Sequence, residues 1–187
     1  TETFESGQLT NYWSTYSTGY GRIEITTDYG PCEGSRHLTM DASSYGNSLN
    51  ELVLTIDLAG RTGVTLGFDQ KEFYDEDHFM PATFTGHNNS DGVAMSADGT
   101  NWFKVQGLTE SEGSGSGCSS FEIPLDALVA SAGLAYVDRF KIKFQQYDNY
   151  PIDTDGMAFD NVRLYSAKGS LRFSAAAFQA EESAAAA

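Results

Sequence analysis

The sequence predicts an all-β chain, a two-sheet antiparallel β-sandwich of the jelly-roll kind with one short helical turn. Three observations predict it. Apolar and polar residues alternate in short runs along most of the 187 residues. Gly, Asn, Asp and Ser cluster between the runs, where chain reversals need them. A helical pattern appears in one place only.

The alternating runs follow in order. They are 22–28 (RIEITTD), 51–58 (ELVLTIDL), 63–68 (GVTLGF), 93–96 (VAMS), 101–106 (NWFKVQ), 121–125 (FEIPL), 139–145 (RFKIKFQ) and 157–165 (MAFDNVRLY). Each is of strand length and turns one apolar and one polar face. Short strands in such number, separated by turns, read as a sandwich. Segment 126–133 (DALVASAG) is the helical exception, with Asp126 as N-cap and Gly133 as stop. Beyond Tyr165 the pattern degrades, and 174–187 is Ala-rich. The organisation expected is a jelly-roll module over 1–168 and a low-complexity tail or linker over 169–187, to which no function is assigned. The chain opens at Thr1 on what looks like a domain start, so a mature or excised fragment is expected.

Charge removes whole classes of partner. Lys and Arg number 11 against 26 Asp and Glu, a formal net charge of −15. Nucleic acid and anionic membrane surfaces both need basic residues to neutralise phosphate, and are excluded. No apolar run approaches the ~18 residues of a spanning helix, so no membrane insertion is expected. Cys32 and Cys118 lie in Gly/Ser-rich turns and outside any CxxC pattern. A single long-range disulfide and two unpaired thiols both remain open at this stage.

The acids are clustered. Asp75, Glu76, Asp77 and Asp91 flank one loop, and Asp148, Asp153 and Asp155 flank another. The two loops echo each other: Tyr74-Asp75 and Tyr147-Asp148 each lead through polar residues to Asp-Gly (Asp91-Gly92, Asp155-Gly156) and a new alternating run. Such units can bring both loops to one end of a sandwich. Calcium takes six to eight oxygen ligands and relieves repulsion between close carboxylates, so it is the cofactor expected here. The spacing does not match an EF-hand loop. Asp75, Asp91 and Asp155 are the ligand candidates in these loops. A second candidate set joins the chain ends. In a jelly roll the first and last strands are neighbours, so Glu5 near the start and Asp160 in the closing run can share one ion. Asp160 interrupts apolar positions, and a charge there needs a partner.

Several short motifs together resemble MAM-type modules and the concanavalin-like jelly rolls of secreted bacterial proteins. They are Phe4-Glu5-Ser6-Gly7, the nearby Trp13, Gly34-Ser35-Arg36-His37-Leu38, the hairpin from Asp91 to Trp102 with its two Asp-Gly pairs, and the closing stretch from Asp155 to Val162. The resemblance covers about residues 2–165. It implies a two-sheet sandwich outside the cell, used for adhesion or glycan binding, with a structural calcium near the joined ends. Glu5, Asp41 and Asp160 are the ligands it implies. The sequence has two cysteines where the animal modules have four, which favours the bacterial secreted branch.

Aromatics supply the ligand candidates. Sugar rings stack their C–H faces on aromatic rings while acids and amides take the hydroxyls. Tyr12, Trp13, Tyr16 and Tyr20 cluster early, while Tyr74, Phe79, Trp102, Tyr147 and Tyr150 lie in or near the acidic loops. Trp102 is assigned to the core or its rim. The expected glycan platform comprises Trp13, Tyr74, Asp77, His78, Tyr147, Asp148 and Tyr150. No catalytic residues are assigned. Nucleophile-elbow and zinc-protease motifs do not occur, and the Glu-x-Asp-x-x-Glu strand of jelly-roll glycosidases is missing. The function expected is a non-catalytic, extracellular, calcium-stabilised module, secreted or on a cell surface, binding a glycan or polysaccharide. Two rivals stand beside it: a structural or adhesive domain contacting neighbouring protein domains, and a jelly-roll glycoside hydrolase or lyase.

Overall fold

The computed structural model describes residues 1–150 and 155–166, and the backbone of 169–170. Asp153 and the Ala-rich segment 174–187 lie outside the described residues. The strands are β1 Trp13–Gly19, β2 Gly21–Thr26, β3 His37–Ala42, β4 Ser48–Ile56, β5 Thr65–Phe73, β6 Thr83–Thr85, β7 Gly92–Ser96, β8 Asn101–Gly107, β9 Ser119–Pro124, β10 Phe140–Asp148, β11 Gly156–Ser166 and β12 Gly169–Ser170. One sheet runs β1-β4-β10-β7-β8-β6 and the other β2-β3-β11-β5-β9, with β12 paired to β11. Every paired strand is antiparallel to its neighbour. The expected two-sheet sandwich is the one observed.

The eight alternating runs all become strands, because the period-2 pattern has a buried face to serve in each. β1 carries no such pattern. It is an edge strand whose six residues after Trp13 are exposed, so no apolar alternation marks it. The helical turn forms as α1, Asp126–Ser131. Asp126 does not cap it, however. Its carboxylate accepts the N–H groups of Gly63 (2.7 Å) and Val64 (3.0 Å), so it ties α1 to the loop before β5.

Phe144 of β10 joins the two sheets. Its ring meets Phe68 of β5 at 5.4 Å and Phe159 of β11 at 5.3 Å, both edge-on. Trp13 packs 6.2 Å from the same ring and 6.2 Å from Phe4. Only 8% of Trp13 is exposed, which corrects its reading as a glycan platform. It belongs to the core because β1 pairs it opposite the inward-facing Leu54.

A strap crosses the outer face of the second sheet. Residues 27–36, between β2 and β3, are pinned by Lys71, which donates to the carbonyls of Tyr29 and Gly30. The Tyr29 ring stacks on Phe73 at 4.0 Å. Cys32 is bonded to Cys118 across 86 residues, which settles the open question of pairing. Under the strap β11 bulges. Asn161 and Val162 together face Phe68, and Asn161 takes φ 48°. The extra residue keeps Phe159, Val162 and Leu164 inside and turns Asp160 and Asn161 outward beneath the strap.

Closing a loop of this length stabilises a fold by about 4–5 kcal/mol in the chain-entropy treatment. The double variant Cys32→Ser/Cys118→Ser should therefore lose several kcal/mol in urea denaturation; a loss below about 1 kcal/mol would mean the strap holds without its covalent tie. His37 offers a pH test. Burial lowers the pKa of this ring. As pH falls below about 6.5 the unfolded chain takes up that proton before the native one, so His37's contribution to stability is lost on acidification. The stability advantage of the wild type over His37→Gln should shrink between pH 7 and pH 5.

Candidate functional site

The outer face of the six-stranded sheet carries a groove. Since Leu52, Leu54, Ile142 and Phe144 point inward, Glu51, Val53, Lys141 and Lys143 must point out. Two adjoining cavities of about 390 and 230 Å³ share Ser14 and Lys141 and run along this face. Tyr16 of β1 stacks on His87 with ring centroids 3.9 Å apart, and both rings stay accessible at the groove edge. His87 Nδ1 lies 2.8 Å from Glu51 Oε2.

A buried ion pair forms the groove floor. Lys143 donates to Glu51 Oε1 at 2.7 Å and to the Gly86 carbonyl at 2.9 Å. Its ammonium also lies 4.2 Å from the centroid of the Trp102 ring. Both charged side chains are only 2% exposed. Trp102 is buried as expected, but in a small cluster with Met80 and Ala94 on this outer side, separate from the main core. Sequence reasoning missed Glu51, His87 and Lys143 as a unit. The signal available was the Lys141-x-Lys143 alternation, in a chain poor in basic residues. The partner of Lys143 lies 92 residues away and only strand pairing reveals it.

The two acidic loops do open at the same end. Ser48 pairs with both Gly19 and Asp148, Gly156 pairs with Asp41, and Tyr74 bridges to Gly156. Tyr20, Tyr45, Tyr74, Phe79 and Tyr150 are exposed on this end. Tyr74 is 87% exposed and held at φ 65°, a left-handed conformation that is costly for an aromatic residue. Tyr147 is half-buried, with His78 set edge-on against it at 4.8 Å. Asp77 is exposed and accepts the Glu110 N–H.

The acids divide by what they bind. Asp91 is fully buried, and its oxygens accept the N–H groups of Tyr147 (2.7 Å) and His78 (2.8 Å). That corrects its reading as a metal ligand: it clamps the two loops together. Asp41 is likewise corrected, because it forms a two-pronged pair with Arg22 at 2.7 and 2.9 Å. Glu5 accepts the N–H groups of Ser35 and Arg36, which hold its carboxyl below the usual range. Gly34 makes room for it, since a Cβ there would sit 2.3 Å from Glu5 Oε1. Asp160 accepts the N–H groups of Glu33 and Asn161. Asp41 of β3 pairs with Gly156, four residues along β11 from Asp160, and does not join Glu5. Glu5 and Glu33 line a cavity of about 130 Å³ beside Asn161.

Asp75, Asp148 and Asp155 are different, since they are buried with oxygens that no other described residue contacts by a hydrogen bond. Burial raises Asp75 well above the carboxylate range. Burial, with the charge of Glu76 adding to it, pushes Asp148 up to about 6, and burial with the charge of Asp148 pushes Asp155 up to about 7.

No family model matches the chain, and no curated protein matches it. Solved structures do. It aligns with the carbohydrate-binding module TmCBM61, solved with β-1,4-galactotriose, at TM-score 0.51 and 13% identity, over 88% of this chain and 94% of that one. It aligns with the family 11 carbohydrate-binding module of the cellulosomal cellulase Lic26A-Cel5E of Clostridium thermocellum at TM-score 0.50 and 17% identity, over 89% and 92%. The fold is that of carbohydrate-binding modules. An exo-β-agarase also matches, at TM-score 0.56 and 14% identity, but over 91% of this chain and only 25% of that one. At these identities the likeness is one of fold, and the resemblance to MAM-type modules gains no family match.

Removing Lys143 strands a buried carboxylate. Lys143→Met should destabilise by about 3–5 kcal/mol, and Lys143→Met/Glu51→Gln by clearly less. Equal losses in urea melts would show that the two groups are not coupled.

Proposed function

We propose that this chain is a non-catalytic carbohydrate-binding module whose glycan lies in the groove of the six-stranded sheet. One observation carries the reading: the accessible Tyr16–His87 pair stands beside an elongated groove whose floor presents charged and hydroxyl groups. Aromatic faces supply stacking for sugar rings, and Ser14, Thr55 and Lys141 supply hydrogen bonds to hydroxyls. Glu51, the carboxylate at the groove centre, is engaged by Lys143 and His87 rather than held as a free acid. The fold shared with carbohydrate-binding modules supports the same reading. So does the disulfide for a secreted or cell-surface location, since such bonds persist in oxidising compartments. Among the described residues no helix is long and apolar enough to cross a membrane.

Calcium belongs to this proposal at the joined chain ends. The cavity lined by Thr3, Glu5, Glu33 and Asn161 gathers two carboxylates, donors that suit a hard cation. An ion there would hold the first residues, the strap and β11 together.

The exposed rings at the loop end, Tyr74 and Tyr150 above all, favour a second platform there. Calorimetry against β-1,4-galactan, xylan, β-glucan and agarose separates the two. Tyr16→Ala and His87→Ala should each weaken binding about tenfold, equivalent to about 1.4 kcal/mol. Tyr74→Ala and Tyr150→Ala should leave it within about twofold. The reverse pattern would move the site to the loop end. Failure to bind any polysaccharide would favour an adhesive domain contacting other proteins.

A further inference from the structure

The apolar core stops short of the loop end. Beyond Phe144, β10 turns Gln146 and then Asp148 into the interior, and Asp155, just before β11, is buried beside Asp148. Glu76 comes in from the loop after β5. Carboxylate oxygens of Glu76, Asp148 and Asp155 lie within 4.8 Å of one another. We infer that these three side chains form a calcium site that ties the loop after β5 to the end of β10 and the start of β11.

The unsatisfied oxygens point to an ion. Asp155 is 0% exposed, and among the described residues neither of its carboxylate oxygens has a hydrogen-bond partner. Asp148 is also 0% exposed; Oδ1 accepts the Tyr150 N–H, and Oδ2 has no partner among the described residues. Glu76 Oε2 and Asp75 Oδ2 are buried and equally unpartnered. Among the described residues no Lys or Arg forms an ion pair with any of the four. Buried carboxylates in that state repel one another and lack the solvation they had in water. A cation among them supplies both the counter-charge and the missing contacts. The donors are oxygens without thiolate or imidazole, which selects a hard ion. They come from three separate stretches of chain, which suits the larger, variable shell of calcium better than the strict octahedron of magnesium. The site is separate from the groove and from the Glu5–Glu33 cavity, so glycan binding can fail while this site stands.

The test uses the full chain stripped with a chelator and titrated with calcium chloride in a calorimeter, alongside thermal melts. The wild type should take up calcium and melt higher with it. Asp155→Asn and Glu76→Gln should each lose one equivalent or bind it at least tenfold more weakly. Without calcium, Asp155→Asn should melt no lower than the wild type, because one repelling charge is gone. Should Asp155→Asn fail to fold, the half-buried Glu76→Gln decides alone. Glu33→Gln, at the other cavity, should keep this equivalent. Calcium uptake unchanged in both cluster variants, uptake lost only in Glu33→Gln, or no uptake by the wild type would each overturn the assignment.

Discussion

The position of one ring governs both faces of this sandwich. Phe144 is wedged edge-on between Phe68 and Phe159 and cannot leave the core without opening a large cavity. In a strand, side chains alternate strictly, so this one anchor dictates its neighbours. Lys141 and Lys143 must face the groove. Gln146 and Asp148 must face inward, toward the mouth of the sandwich. A slip of one residue would bury two lysines and expose three aromatic or aliphatic core residues. The groove and the carboxylate cluster are thus two consequences of the same register.

The second sheet solves a different problem. Its outer face would be open but for the strap of residues 27–36, which has little apolar content to hold it. It is fastened instead by polar and covalent ties: the disulfide to Cys118, the carbonyls taken by Lys71, and the Glu33 N–H taken by Asp160. The bulge at Asn161 makes the last of these possible. A regular strand would have to point either Asp160 or a core residue the wrong way. The charge that interrupts the closing apolar run is therefore explained by what lies over it.

The functional picture rests on how side chains are spent. Asp91 and Asp41 looked available in the sequence and are committed to N–H groups or a guanidinium. Asp148 and Asp155 looked no different from them and keep oxygens without a partner among the described residues. Tyr16 and Trp13 stand three residues apart on one edge strand, yet one ring lines the groove and the other fills the core. Identity and local spacing cannot separate such cases, because the partners that decide them lie tens of residues away in the chain.

By itself the sequence determined the fold class, the placement of eight strands and the helical turn, and the exclusion of polyanionic partners. Those follow from local alternation, turn chemistry and net charge, which need no knowledge of what touches what. Their repeated aromatic-Asp and Asp-Gly pattern also allowed the two acidic loops a common end, which the strand pairing then established. Only the tertiary structure decided that Cys32 and Cys118 meet, that Glu51 and Lys143 pair beneath the Tyr16–His87 stack, and that Glu76 joins Asp148 and Asp155. Each depends on long-range register, and register is chosen by how two whole sheets pack rather than by any segment's own preference.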